Sequence, residues 1–295
     1  MASMLVQSEP LPSCDFQFLE TLWFQISGTL CNLRCSHCFI SCAPDNHTLE
    51  MMETDRVLTY LRQAKRHGVK EIYYTGGEPL IHRDFFHILE TTLQDFPTSM
   101  LTNGLLITKS QADRLAQIAQ GSRYSLEIRV SLDHFEQERN DAVRGPGTFQ
   151  KVLAAYQLLY GRGLLPILTV TEIRDYLAPR ESQRDDFESY VQLLRSRGIE
   201  RPRIKVIPIF EMGMLPMPSR SKRVTPEMLQ DFDHGLLQCS SSRIVAQDGI
   251  YACPILVGKE KARMGDSLEE SMVPCSLYHT ACHTCYVTGM TCKNF

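Results

Sequence analysis

One phrase recurs three times along the chain: an amphipathic stretch, a basic residue, a glycine, and then an apolar run rich in β-branched residues. It occurs as Arg66-His67-Gly68 before Val69, as Arg162-Gly163 before Leu164, and as Arg197-Gly198 ahead of Ile204. Cations in a last helical turn and a glycine just beyond it are helix C-terminal signals, so each occurrence marks a helix handing over to a strand. The pattern predicts strands over 22–26, 69–75, 99–102, 125–132, 167–171 and 204–209. Apolar runs alternating with helices predict an α/β fold, a parallel sheet wrapped by helices with its strands buried on both faces.

The pattern breaks at 213–224, where Pro216, Pro218, Ser219, Arg220, Ser221, Lys222 and Arg223 read as a linker. The expected organisation is therefore an N-terminal extension (1–20), a strand–helix domain (21–212), the linker, and a small cysteine-rich domain (225–295). Within the last, Arg243 to Ala252 reads as a hairpin turning at Asp248-Gly249.

Composition narrows the function classes. The chain has 295 residues, 43% hydrophobic, with a net charge of −3, which offers no basic face for nucleic acid. The first residues lack the basic start and apolar stretch of a signal peptide, and no apolar run approaches the roughly 20 residues that cross a membrane, so a cytoplasmic location is expected. Eleven cysteines in a reducing compartment call for an explanation other than disulfides, and metal binding leads.

Cys31, Cys35 and Cys38 lie in the run Cys31-Asn-Leu-Arg-Cys35-Ser-His-Cys38. Three thiolates so closely spaced can hold three corners of an iron–sulfur cluster and leave the fourth iron open to a small molecule. Zinc, or burial as small hydrophobes, are the alternatives. A second run, Tyr73-Tyr74-Thr75-Gly76-Gly77-Glu78-Pro79, reads as a strand opening into a glycine turn where main-chain groups can approach a ligand. Together the two runs resemble the radical S-adenosylmethionine (SAM) superfamily.

The resemblance implies that Cys31, Cys35 and Cys38 ligate a [4Fe-4S] cluster and that Gly76, Gly77 and Glu78 receive SAM, with His37 where the family usually has an aromatic ring. It also implies a partial (β/α)6 TIM-like barrel, whose reacting groups sit at the C-terminal strand ends. Asn103-Gly104 there is an ordinary turn signal and a SAM-facing candidate. The stretch from Val130 to Phe149 resembles the fourth-strand region of family members acting on peptides or small metabolites, so Ser131 and Arg144 would meet the SAM carboxylate and ribose. Thr169, Thr171, Glu172 and Glu211 are further rim candidates for facing substrate.

After the linker come Cys239, Cys253, Cys275, Cys282, Cys285 and Cys292. The hairpin would bring Cys239 and Cys253 together, and with Cys282 and Cys285 they suffice for a second, closed cluster; Cys275 or Cys292 could replace one, and zinc is an alternative metal. This region resembles twitch and SPASM auxiliary-cluster domains. A full SPASM domain carries cysteines for two clusters, so one twitch-like auxiliary [4Fe-4S] cluster is expected here. Cys14 and Cys42 read as incidental.

The expected function is that of a radical SAM oxidoreductase, in which a reduced cluster cleaves SAM to methionine and a 5′-deoxyadenosyl radical that takes hydrogen from substrate. A flavodoxin- or ferredoxin-like donor would supply the electron. A small metabolite is the expected substrate because no leader-binding domain precedes the first strand. A peptide-modifying enzyme is the first alternative, and a non-catalytic iron–sulfur or zinc carrier the second.

Overall fold

The computed structural model describes residues 11–172, 180–215 and 222–289. A short strand β1 (Ser13–Cys14) precedes six parallel strands, β2 (Thr21–Gln25), β3 (Glu71–Thr75), β4 (Thr98–Thr102), β5 (Leu126–Leu132), β6 (Ile167–Glu172) and β7 (Ile204–Pro208), which lie side by side in chain order. Between them run α1 (Thr54–Arg66), α2 (Phe85–Thr92), α3 (Lys109–Gly121), α4 (Gln137–Arg144), α5 (Thr148–Tyr160) and α6 (Arg180–Ser196). This is an α/β fold with a parallel-strand sheet, like the partial TIM barrel expected from the sequence.

The recurring glycine phrase has one structural meaning at all three sites. Gly68, Gly163 and Gly198 take φ of +72°, +77° and +80°, although a Cβ at any of them would meet nothing within 4 Å. The demand is conformational, not steric. The amides of Val69, Leu164 and Ile199 then donate to Ala64, Leu159 and Leu194 respectively, closing each helix as a Schellman motif. Val69 is thereby committed to the cap, which is why β3 begins at Glu71 and not at the first residue of the apolar run.

The strands differ from expectation in one respect, for only the helix-facing side is predominantly apolar, with Thr98 and Thr102 beside Met100 as exceptions. Leu22, Phe24, Ile72, Tyr74, Met100, Ile128, Val130, Leu168 and Val170 join the helices in the main core. The opposite face is mixed. Trp23 stacks on Tyr73 at 4.2 Å, and Arg129 sits 5.0 Å over the Tyr73 ring while pairing with Glu127 at 2.9 Å. Leu126-Glu-Ile-Arg-Val-Ser-Leu132 alternates accordingly, so the sheet presents polar side chains to its interior.

The cysteine-rich segment 225–295, expected as a separate unit, is joined to this sheet. Strand β8 (Ser242–Ala246) runs parallel to β2 with Ile244 opposite Trp23, and β9 (Gly249–Tyr251) and β10 (Arg263–Gly265) follow antiparallel, making nine strands. After α7 (Leu268–Ser271), β11 (Cys275–Ser276) pairs with β1, and α8 (Thr280–Thr288) follows. Trp23, Tyr73, Ile244 and Tyr251 share one core with Leu256, Leu277 and Ala281. Much of the predicted linker, residues 216–221, lies outside the described residues, and among the described residues no helix is long and apolar enough to cross a membrane.

Because Ile244 is fully buried against the single tryptophan, Ile244→Ala should cost about 2–5 kcal/mol. The Trp23 fluorescence and far-UV circular dichroism midpoints in urea should fall together; a fluorescence midpoint that stays at the wild-type value would show that the C-terminal segment unfolds on its own.

Candidate metal centre

The loops at the C-terminal ends of the parallel strands form a cleft of about 180 Å³ open to solvent on one side. Cys31, Cys35 and Cys38 line it together with Gly76, Gly77, Asn103, Ser131, Arg144, Thr169 and Thr171. Glu211 is exposed and outside this lining, and the side chain of Glu172 lies outside the described residues.

The cysteine loop is stitched to the glycine turn by main-chain bonds. Gly77 N–H donates to Gly28 O at 3.0 Å and Glu78 N–H to Leu30 O at 3.2 Å, while Cys31 N–H reaches Ala43 O at 3.1 Å. A Cβ on Gly77 would lie 2.0 Å from Leu30 O and 2.8 Å from Cys31 Cβ, so only glycine permits this approach. Gly76 is equally restricted, with φ of +149° and Ser27 Oγ 2.3 Å from where a Cβ would sit.

Glu78, expected to receive SAM, is fully buried and is not part of the cleft lining. Its carboxylate accepts from Thr102 Oγ1 at 2.8 Å, the Asn103 amide at 2.8 Å and the Leu80 amide at 3.2 Å. Burial pushes its pKa up to about 7 against these donors. Asn103, so anchored, directs Nδ2 to Asn32 Oδ1 at 2.8 Å and to Cys31 Sγ at 3.6 Å.

The three thiols sit in different fields. Burial raises Cys31 to about 12 and raises Cys35, whereas Cys38 falls to about 6 because the Cys42 thiol donates to it, assisted by the Cys42 and Ile40 amides. The Cys42 amide lies 3.2 Å from Cys38 Sγ, and Leu33 N–H lies 3.4 Å from Cys31 Sγ. Cys42, set aside on sequence as incidental, thus lines the same cleft and supports a ligand candidate.

On the opposite wall Arg144 Nε stands 2.5 Å from Asp133 Oδ2, and His37 Nε2 stands 2.7 Å from the same oxygen. Burial pushes Asp133 up, but the Arg144 charge and the His37 hydrogen bond overcome it and hold the carboxyl at about 2. Arg144 is therefore held by Asp133 rather than free to swing to a ligand carboxylate, although it still faces the cleft. Asp133 lies just past the predicted strand 125–132; its partners come from the cysteine loop and from α4, which no local pattern joins. Thr169 Oγ1, buried in the cleft wall, has no hydrogen-bond partner among the described residues.

A second, smaller cavity, of about 30 Å³, is lined by Cys239, Cys253, Cys282 and Cys285 with Leu237, Leu256 and Leu277. Burial raises Cys282 to about 11 and Cys253 further. Cys275 stands directly opposite Cys14 in the β1–β11 register; its thiol donates to Cys239, whose own thiol donates to Cys14. Cys14, also read as incidental, is thus part of this group, and Cys292 lies outside the described residues. Three cysteine ligand candidates thus line the first cavity and four the second, while among the described residues no three His, Cys, Asp or Glu side chains stand close enough together to hold a single metal ion.

The Radical SAM superfamily model matches residues 26–194. The chain is 31% identical over 137 residues to a probable GTP 3′,8-cyclase of Archaeoglobus fulgidus, covering 46% of this chain and 44% of that protein. It is 31% identical over 161 residues to the mycofactocin maturase MftC of Mycolicibacterium smegmatis, covering 52% and 39%. The chain thus spans less than half the length of these curated relatives. In structure it resembles native anSMEcpe with bound AdoMet, with a TM-score of 0.63, 17% identity and coverage of 85% and 79%; that protein is also solved with AdoMet and the Cp18Cys peptide, at a TM-score of 0.62.

Two outcomes follow from the buried carboxylates of the metal-free protein. Glu78 keeps its proton to higher pH folded than unfolded, so stability should fall as pH rises from 4.5 to about 7, and Glu78→Gln should abolish that slope in urea titrations. Asp133 has the opposite sign: its contribution is present above 3.8 and lost as pH falls towards about 2, a loss that Asp133→Asn should remove. Separately, Gly77→Ala should displace Cys31 and weaken iron binding about 10–100-fold, the usual range for a disturbed supporting contact, measured by anaerobic iron titration.

Proposed function

The chain belongs to the radical SAM superfamily, and on that premise we propose that Cys31, Cys35 and Cys38 hold a [4Fe-4S] cluster whose open iron faces SAM, in an enzyme that takes hydrogen from a substrate bound in the same cleft. The observation that carries this reading is the convergence on one cleft of three cysteines, two glycines without room for a Cβ, and a buried hydroxyl with no partner among the described residues. When bound, cluster and SAM together supply one-electron cleavage to a 5′-deoxyadenosyl radical.

The protein's own part is placement and shielding. The Asn103, Leu33 and Cys42 N–H groups aimed at the sulfurs favour their deprotonated, metal-binding form. The backbone at Gly76 and Gly77 leaves main-chain groups free to meet SAM, and Glu78 acts beneath it by locking Thr102 and Asn103 in place. Asp133 fixes Arg144 and His37 at the wall where SAM would lie. Phe39, Ile40, Leu101 and Phe210 give that cleft apolar walls that keep water from a reactive radical. The electron would come from a flavodoxin- or ferredoxin-like donor.

The four thiols lining the second cavity support an auxiliary [4Fe-4S] cluster, four ligands leaving no open iron. A small metabolite is the favoured substrate, since the cleft is small, about 180 Å³, and SAM takes part of it. A peptide is the second reading, favoured by the likeness to a maturase and by the fold shared with a protein solved with a peptide.

After anaerobic reconstitution the protein should hold about eight iron and eight sulfide, four of each per cluster, and release 5′-deoxyadenosine from SAM under dithionite. Cys35→Ala should halve the iron and abolish the product; Cys282→Ala with Cys285→Ala should halve the iron alone. Zinc without sulfide, or full clusters with no SAM cleavage, would establish a carrier or scaffold instead.

A further inference from the structure

Three arginines are buried among the described residues, Arg129, Arg144 and Arg243. The first two have carboxylates, Glu127 at 2.9 Å and Asp133 at 2.5 Å. Arg243, on β8, is 0% exposed, and among the described residues no carboxylate stands within ion-pair distance of it. Its guanidinium donates at 2.7 Å to four carbonyl oxygens, those of Ser271, Cys239, Ser242 and Val273. The Phe16 ring lies 4.3 Å beneath it.

Carbonyl dipoles and a ring face solvate a cation but leave its charge unbalanced, and a buried charge without an opposite one is strongly unfavourable. The groups able to become anionic around Arg243 are cysteines: its Coulombic partners are Cys275, Cys239, Cys253 and Cys14. Three of the four carbonyls it grips belong to Cys239 itself and to residues four and two positions before Cys275. Protonated thiols would leave the guanidinium unpaired, whereas a metal–thiolate centre supplies the missing negative charge.

We propose that Arg243 is the built-in counter-cation of the anionic metal–thiolate centre formed by the C-terminal cysteines, and that it sets how readily that centre accepts an electron. This rests on the auxiliary-cluster reading above. A cluster ligated by four thiolates is negative and gains a further negative charge on reduction, so a fixed neighbouring cation favours the reduced form and raises the potential; net charge and neighbouring hydrogen bonds are the protein's levers on such centres. Arg243 is a positioning residue in this scheme, since it touches the peptides that carry the ligands and not the substrate.

The test isolates the centre in full-length protein with Cys31, Cys35 and Cys38 all changed to Ala, reconstituted anaerobically and titrated with dithionite while electron paramagnetic resonance follows the reduced cluster. If this background binds no iron and sulfide, the auxiliary-cluster reading fails before Arg243 is tested. If it does bind them, Arg243→Gln should shift the reduction equilibrium at least tenfold towards the oxidised form, 59 mV for one electron, and Arg243→Lys should stay within threefold of the parent. Loss of the cluster in Arg243→Gln with retention in Arg243→Lys supports the same conclusion. An Arg243→Gln potential within threefold of the parent overturns it. Should Arg243→Gln not fold, Arg243→Lys decides: a folded, loaded protein at the parent potential supports the charge role, and one that is shifted tenfold, unfolded or empty overturns it.

Discussion

The Glu78 carboxylate, buried beneath the cleft and holding the Thr102 hydroxyl and the Asn103 and Leu80 amides, is the constraint on which the site depends. It ties the loop after β3 to the loop after β4, and Asn103 carries that tie across to Cys31 and Asn32. Gly77 presses the same turn against Leu30 from the other side. The position of the first thiol is thus a consequence of two neighbouring strand ends, each of which packs only because the parallel sheet beneath them is in register. The raised pKa of Glu78 is the cost of putting an acceptor where three donors converge in a dry interior.

Charge in this protein is buried in matched sets, and the sets differ in purpose. Arg129 with Glu127 and Tyr73 fills the sheet interior below the cleft. Asp133 gathers Arg144 and His37 into the cleft wall, joining the cysteine loop to α4 through one oxygen. Arg243 has dipoles and thiols in place of a carboxylate. A buried pair contributes little net stability once desolvation is counted, but removing one member leaves an uncompensated charge, so such sets fix geometry more than they add stability.

The C-terminal cysteine region is bound to the barrel more closely than its composition suggested. The proline- and serine-rich break reads as a domain boundary, yet β8 continues the sheet beside β2, and β1 reaches across to β11. Cys14 meets Cys275 through that second pairing, although some 260 residues of chain separate them. Sheet pairing between distant segments carries no local signal, because an edge strand looks the same whichever neighbour it finds.

What the amino-acid sequence determined by itself is what depends on local chemistry: the three Schellman glycines, the alternation that makes six parallel strands, the close spacing of Cys31, Cys35 and Cys38, and the turn at Gly76-Gly77. Each is set within a few residues by φ preference, hydrophobic period or ligand spacing. The tertiary structure decided which polar groups face which. It turned Glu78 inward beneath the cleft, paired Arg144 with Asp133, brought Cys42 and Cys14, read as incidental in the sequence, into thiol groups, and left Arg243 with no carboxylate at ion-pair distance among the described residues. Those outcomes depend on the burial and approach of side chains from separate elements, and the strength of an electrostatic contact is fixed by distance and dielectric, which exist only once the chain has packed.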